Sequence, residues 1–286
     1  MFQHYIITRF NLRKEDWTIT KKNEKVLSEA WLKDRFELFE NFCFPSVKNQ
    51  VNQNFKWLVF FDINTPKNYK QRVIELHESY DNFVPFFIDG MNNFLPEIVR
   101  NIKLLDNKEY CITSRLDNDD SLHKDYINTI QSYFDSQEHM AIDLIDGYIL
   151  QADSKVLLGL KKQLYNPFIS LIEKKDCLKS VWFRSGHGSW KYEKNIIRVK
   201  NKRLWLCVIH DFNKVNFFTG YGNVHSKYLD DFNIVSSKKD EIINNLQPNK
   251  KWRLLSYYNK VWSLFVVYFK DLKKFIGVYK QDTQDS

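Results

Sequence analysis

The segment Tyr110-Cys-Ile-Thr-Ser-Arg-Leu-Asp-Asn-Asp-Asp-Ser-Leu122 holds the residues best able to do chemistry. An apolar stretch runs directly into Asp117, Asp119 and Asp120. Carboxylates this close repel one another unless a cation neutralises them. Asp117 and Asp119 stand at i and i+2 and can share a hard divalent cation, directly or through water. Mg²⁺ and Mn²⁺ keep room in their shells for water and phosphate oxygens. Such a site would hold a nucleotide pyrophosphate and neutralise it as it leaves. Helix capping is the competing explanation, since Asp is favoured ahead of a helix starting near Ser121. Capping accounts for one or two of these residues, not for three after an apolar strand.

Other residues stand where they could assist. Thr8 and Arg9 close the first apolar segment, and Arg9 could pair with a phosphate or a base; a solvated arginine is the plainer reading. Arg115 precedes the acidic cluster by two residues, either as a pyrophosphate ligand or as an ion-pair partner of a neighbouring Asp. In Gly186-His-Gly-Ser-Trp190, two glycines flank His187. Close backbone approach there would suit a loop that binds an acceptor substrate, with His187 as a polar contact and Trp190 stacking on its face. The alternative is an ordinary turn with a packed Trp.

The elements that must position these residues can be read from periodicity. His4–Thr8 reads as a short buried strand. A helix covers about 28–42 and is ended or kinked by Pro45. Trp57–Phe61 is a continuous apolar run, as in a strand buried on both faces. A helix at 67–79 follows, then a strand at 83–88 that Pro85 marks as an edge candidate. Helices at 96–105 and about 122–135 flank a strand at 109–116. This alternation predicts an α/β layer with a mostly parallel sheet. Ligands of such sheets bind at the carboxyl ends of the strands, where Arg9 and Asp117 stand. The second half reads as strand pairs, 146–151 with 155–160 and 195–199 with 203–209.

Arg100-Asn101, then Glu109-Tyr110 and Leu116-Asp-Asn-Asp-Asp120, resemble the pattern of GT-A glycosyltransferases. The more specific resemblance is to the bacterial rhamnosyltransferase family, through Arg115–Asp120 and Trp205-Leu-Cys-Val-Ile-His210. It covers about residues 3–235. Ile102-Lys103 departs from it, because related enzymes often carry a Gly after the Arg-Asn. The resemblance implies a GT-A-like Rossmann-type mixed sheet flanked by helices. It implies a metal-dependent enzyme using Mn²⁺ or Mg²⁺ and a dTDP- or UDP-linked sugar, with L-rhamnose as the candidate. The acceptor would be a surface glycan or a lipid-linked glycan, and transfer would proceed with inversion. It places Asp62 against the nucleotide base, Arg100 in the nucleotide-side motif, and His210 beside Asp117 and Asp119 as a third metal ligand. Inversion needs a base for the acceptor proton; Glu173 and Asp211 are the candidates, and spacing does not choose between them. A nucleotidyl- or phosphotransferase could use the same acidic site, and a non-catalytic membrane binder is the reading from another class.

The 286 residues carry a net charge of +8. Residues 250–280 hold eight cations against Asp271 alone, so the surplus is concentrated in the tail. On a helix, Leu255, Trp262, Phe265, Val266, Phe269, Leu272 and Ile276 fall on one side. Most of the Lys and Arg residues fall opposite. Such a helix can lie on an anionic membrane surface. The expected organisation is a catalytic domain over 1–235 and a basic aromatic tail over 236–286. Nucleic acid is a poor partner, since the body has no basic stripe. The longest apolar run falls short of the about 20 residues of a span. The amino terminus lacks the pattern of a signal peptide, and the four cysteines lack zinc or disulfide spacing. The expected location is the cytoplasm, peripheral on the inner face of the cytoplasmic membrane.

Overall fold

The computed structural model describes residues 1–14, 26–153, 155–184, 186–210 and 217–279. Four strands form the parallel heart: β1 (Phe2–Arg9), β2 (Lys56–Asp62), β3 (Phe83–Ile88) and β4 (Tyr110–Arg115). Their spatial order is β4-β1-β2-β3, all parallel. The chain steps outward from β1 through β2 to β3, then returns to the other side of β1. The carboxyl ends of β1 and β4 therefore flank the point where strand order reverses, the usual seat of a ligand. β3 is the edge strand, which lets Pro85 sit without costing a ladder hydrogen bond.

Alternation in β2 explains its unbroken apolar run. Trp57, Val59 and Phe61 pack into one core cluster, while Leu58 and Phe60 pack into the other. Helices cover the two faces. α1 (Glu29–Leu38), α2 (Phe44–Lys48) and α3 (Lys67–Glu78) contribute Phe36, Phe44 and Val73 to the first cluster; α4 (Phe94–Leu105) contributes Ile98 and Ile102 to the second. Each fully buried aromatic or aliphatic side chain contributes about 2–3 kcal/mol of transfer free energy.

Pro45 does not end the first helical segment. A wide π-turn over Phe39–Cys43 absorbs it, and the helix resumes as α2 with Pro45 in its first turn. Nor does a helix start near Ser121. The acidic segment leads into β5 (Ser121–Leu122), and α5 (Tyr126–Gln131) begins later, behind Asp125. Helix capping therefore does not explain Asp117, Asp119 and Asp120.

The seven-stranded sheet is completed by β6 (His139–Leu144), β9 (Ser170–Lys174) and β10 (Ile196–Val199), in the order β10-β6-β9-β4-β1-β2-β3. β9 runs antiparallel to both β4 and β6, so the sheet is mixed. A second sheet has the order β5-β11-β7-β8, with β7 (Asp146–Gln151), β8 (Leu157–Lys162) and β11 (Trp205–Ile209). β7 and β8 pair antiparallel, as their spacing suggests. The other expected hairpin does not form: β10 pairs with β6 and β11 with β7, in different sheets. Residues 116–120 thus cross from one sheet to the other.

Two helices follow, α6 (Ser236–Asn245) and α7 (Arg253–Phe275). Cys43, Cys111 and Cys207 are buried and Cys177 is exposed; all four are free thiols. No helix is long and apolar enough to cross a membrane among the described residues.

Candidate active site

A cavity of about 500 Å³ opens where the two sheets meet. β1 delivers Arg9 to it, β4 and its exit deliver Arg115 and Asp117–Asp120, α1 delivers Trp31 and Arg35, and the second sheet delivers Lys161, Trp205 and Cys207. Lys14 also lines it. Five cationic side chains thus surround three carboxylates, a balance suited to a polyanionic ligand.

The carboxylates differ in environment. Asp119 Oδ2 accepts from Arg35 Nη1 at 2.7 Å and meets His210 Nε2 at 2.9 Å. Burial opposes its ionisation, but the Arg35 guanidinium and the His210 contact outweigh burial and hold its carboxyl below the usual range. Asp120 has the opposite balance. Burial, then the charges of Asp119 and Asp117, push its carboxyl well up, although the Val208 N–H donates to its Oδ1 at 2.8 Å. Asp117 is the most open, with a side chain 32% exposed, and Arg115 Nη2 reaches its two oxygens at 3.2 and 3.3 Å. Cys43 Sγ lies 3.7 Å from the Asp117 carbonyl and donates to it.

Trp182 organises the cationic side. The Arg115 guanidinium lies over its ring at 4.0 Å from the centroid, and that of Arg9 at 5.4 Å. The indole is fixed by donating to the Ile7 carbonyl at 3.2 Å. Burial depresses the Arg9 pKa, with Asp117 opposing the shift and Arg115 adding to it. Nε of Arg115 is buried without a hydrogen-bond partner among the described residues. Arg115, stacked with Arg9 on one ring, therefore holds unused donor capacity beside Asp117.

His187 lines the same cavity, and its Nδ1 is 2.6 Å from the Tyr165 carbonyl. A carbonyl only accepts, so Nδ1 carries the proton and Nε2 the lone pair. Burial lowers the His187 pKa, which keeps the ring neutral near pH 7.

The structure therefore brings Arg9, Arg115, Asp117, Asp119, His187 and His210 together. The other expected residues lie elsewhere. Thr8 is in the core, its hydroxyl accepting from Trp57 Nε1 at 2.9 Å. Asp62 closes β2, but its carboxylate is engaged by Arg13 at 2.9 Å and by the Asn64 N–H. Arg100 sits on the exposed side of α4, paired with Glu97 at 2.7 Å. Trp190 is a core residue, edge-on to Phe183. Glu173 pairs in register with Cys111, near the start of β4. At about 3.3 Å per residue, it is about 20 Å from the acidic cluster along the strand. Asp211 lies outside the described residues.

Arg35, Trp182 and Lys161 were not anticipated. Arg35 lies within a helix whose evident signal is its Phe spacing. Trp182 lies in a segment without periodicity.

For a metal ion, Asp117, Asp119 and His210 offer two carboxylates and an imidazole. Among the described residues no three His, Cys, Asp or Glu side chains converge as a ready-made metal group. Asp119 Oδ2 is shared by Arg35 and His210, while Asp117 remains partly open. These residues would hold a hard cation only together with phosphate oxygens and water, not as a cage of protein ligands.

No curated protein matches the sequence. Among solved structures, Staphylococcus aureus TarS 1–349 is 12% identical, with 72% of this chain and 60% of that one covered and a TM-score of 0.40. The same protein in complex with UDP-GlcNAc is 10% identical, with 84% and 70% covered and a TM-score of 0.45. HddC from Yersinia pseudotuberculosis is 12% identical, with 73% and 90% covered and a TM-score of 0.31. This chain thus spans about 60% of the length of TarS 1–349. The model of the family described as "Putative rhamnosyl transferase" matches residues 3–220, a stretch that holds every described residue of the acidic and cationic cavity, and the chain belongs to that family of glycosyltransferases.

Proposed function

We propose that the cavity binds a nucleotide-activated sugar and transfers the sugar to a glycan hydroxyl with inversion. The observation that carries this reading is the Arg9–Arg115 pair on Trp182, beside Asp117 at the strand-order switch. Two fixed guanidinium groups match a diphosphate in charge and in donor geometry. The candidate donor is a dTDP- or UDP-linked sugar, and the family description supports L-rhamnose as the candidate sugar.

In the displacement, the acceptor oxygen forms a bond to the anomeric carbon. The bond from that carbon to the diphosphate oxygen breaks, and the diphosphate departs with the electron pair. Arg9 and Arg115 stabilise the charge that builds there. The acceptor proton goes to His187 Nε2, the lone-pair nitrogen of a neutral ring. Asp117 and Asp119 would hold Mg²⁺ or Mn²⁺ jointly with the donor, and the cation would supply further neutralisation of the leaving diphosphate.

A thermal-shift panel of nucleotide-sugars, with and without Mn²⁺, tests the reading. A donor-dependent rise in melting temperature, larger with Mn²⁺, is expected. No shift with any donor overturns it. Release of a nucleoside diphosphate separates sugar transfer from nucleotidyl transfer.

A further inference from the structure

α7 is docked the wrong way round for a helix that shields its apolar side. Its inward side is held mainly by polar contacts, with Val267 packed against the second core cluster. Ser256 Oγ accepts from the Gly222 N–H at 2.9 Å, Asn259 Nδ2 donates to the Gly220 carbonyl at 2.9 Å, and Ser263 Oγ donates to the Lys162 carbonyl at 3.0 Å. Asp271 pairs with Arg198, and Lys274 donates to the Glu193 carbonyl.

The outward side is apolar and aromatic. Leu254 is 88% exposed, Tyr258 63%, Val261 50%, Phe265 55%, Tyr268 68% and Phe275 89%. At 100° per residue, the exposed apolar positions of α7 spread over about half the helix circumference, along about 33 Å. Soluble monomers rarely leave a continuous patch of this kind bare. The expected stripe centred on Trp262 and Phe269 is displaced toward Leu254 and Phe265, because the serines and Asn259 fix the rotation of the helix. Lys270 and Lys274 then face Tyr165, with Lys274 5.6 Å from its ring centroid. Arg253 and Lys260 remain exposed.

We infer that this face lies in the surface of an anionic lipid bilayer, parallel to the membrane plane. Width decides between lipid and a second copy of the chain. A two-stranded helix pair covers a narrow seam of a and d positions and would leave most of this half-cylinder in water. A bilayer interface covers all of it, to a depth of about 5–10 Å. Tyr and Trp suit the headgroup level, and the exposed cations at the helix start meet anionic headgroups.

The docking also sets where the cavity stands. Ser263 holds Lys162, which is flanked by the cavity residues Lys161 and Gln163. Lys270 lies over Tyr165, whose carbonyl holds His187. The His187 side of the cavity is therefore the side that adjoins α7.

Co-sedimentation of the full chain with phosphatidylcholine vesicles, with and without phosphatidylglycerol, tests the inference. The wild type is expected to sediment with the anionic vesicles. The Val261→Asp/Phe265→Asp double variant is expected to lower the partition coefficient about tenfold or more, with unchanged circular dichroism. Arg253→Glu/Lys260→Glu is expected to weaken binding to the anionic vesicles specifically. Absence of wild-type binding, or undiminished binding by the Asp double variant, overturns the inference. So does a wild-type dimer that this variant converts to monomer. The readout needs no nucleotide-sugar, so it stands or falls separately from the transfer reaction. A lipid-binding chain that shows no thermal shift with any donor would contradict transfer alone.

Discussion

Asp119 Oδ2 is held by two side chains from distant parts of the chain: Arg35 Nη1 at 2.7 Å and His210 Nε2 at 2.9 Å. All three side chains are nearly inaccessible. The centre of the acidic motif is therefore as much a structural clamp as a chemical one.

Asp119→Asn should have two consequences. Transfer should fall at least about a thousandfold, because a carboxylate beside the diphosphate is lost. Stability should fall by about 3 kcal/mol, because Arg35 is left buried without its counter-charge. Urea denaturation checks the second effect and nucleoside diphosphate release the first. A variant with wild-type turnover would remove Asp119 from the mechanism.

Arg115→Met and Trp182→Leu should both weaken donor binding. Arg115 supplies the guanidinium, and Trp182 holds both guanidinium groups in place. A loss of about 1–3 kcal/mol corresponds to a dissociation constant raised about 5- to 150-fold. Titration calorimetry with UDP and dTDP measures it directly.

His187→Gln should lower turnover about 10²- to 10⁴-fold while leaving nucleoside diphosphate affinity close to wild type. Burial lowers the His187 pKa, so wild-type turnover should rise with pH below the ordinary histidine value and be flat near pH 7. The variant should lose that acid limb. A limb that persists would assign the base elsewhere.

Glu173 should make the protein less stable as pH rises. Burial lifts its pKa from 4.5 to about 7, opposed by hydrogen bonds from the Lys179 and Ser180 N–H groups. The folded chain then holds a proton that the unfolded chain has released. Stability is lost between about pH 4.5 and 7 and levels off above the folded value. The full effect is about 3 kcal/mol for this buried group. Asp143, also raised to about 7 by burial, adds in the same direction. Glu173→Gln should flatten the profile of denaturation midpoints over that window.

Much of the parallel half was legible because its strands announce themselves. Trp57–Phe61 is apolar at every position and lies between two core clusters. Pro85 marked the edge strand. The acidic segment stood out because three carboxylates rarely follow such a strand without a use. Legibility failed where partners are far apart in sequence. Nothing local links Arg35 to Asp119, 84 residues on, or Trp182 to Ile7. β9 was hidden because it joins the sheet between β4 and β6, neither of which precedes it directly. The apolar surface of Trp190 is the same whether it faces a sugar or a core, and only the three-dimensional packing separates the two.

The π-turn at Phe39–Cys43 has a consequence for engineering. It widens the helix by one residue, and its last residue and the helix beyond it contact the acidic crossover and the strand that follows. Cys43 donates to the Asp117 carbonyl, and Ser46 Oγ accepts from the Leu122 N–H at 3.1 Å. Deleting one residue to restore a regular helix would improve local geometry. It would also turn everything downstream by about 100°, carrying Cys43 and Ser46 away from the crossover and that strand. A sequence optimised for helix regularity here would gain a smoother helix and release the loop that carries the carboxylates.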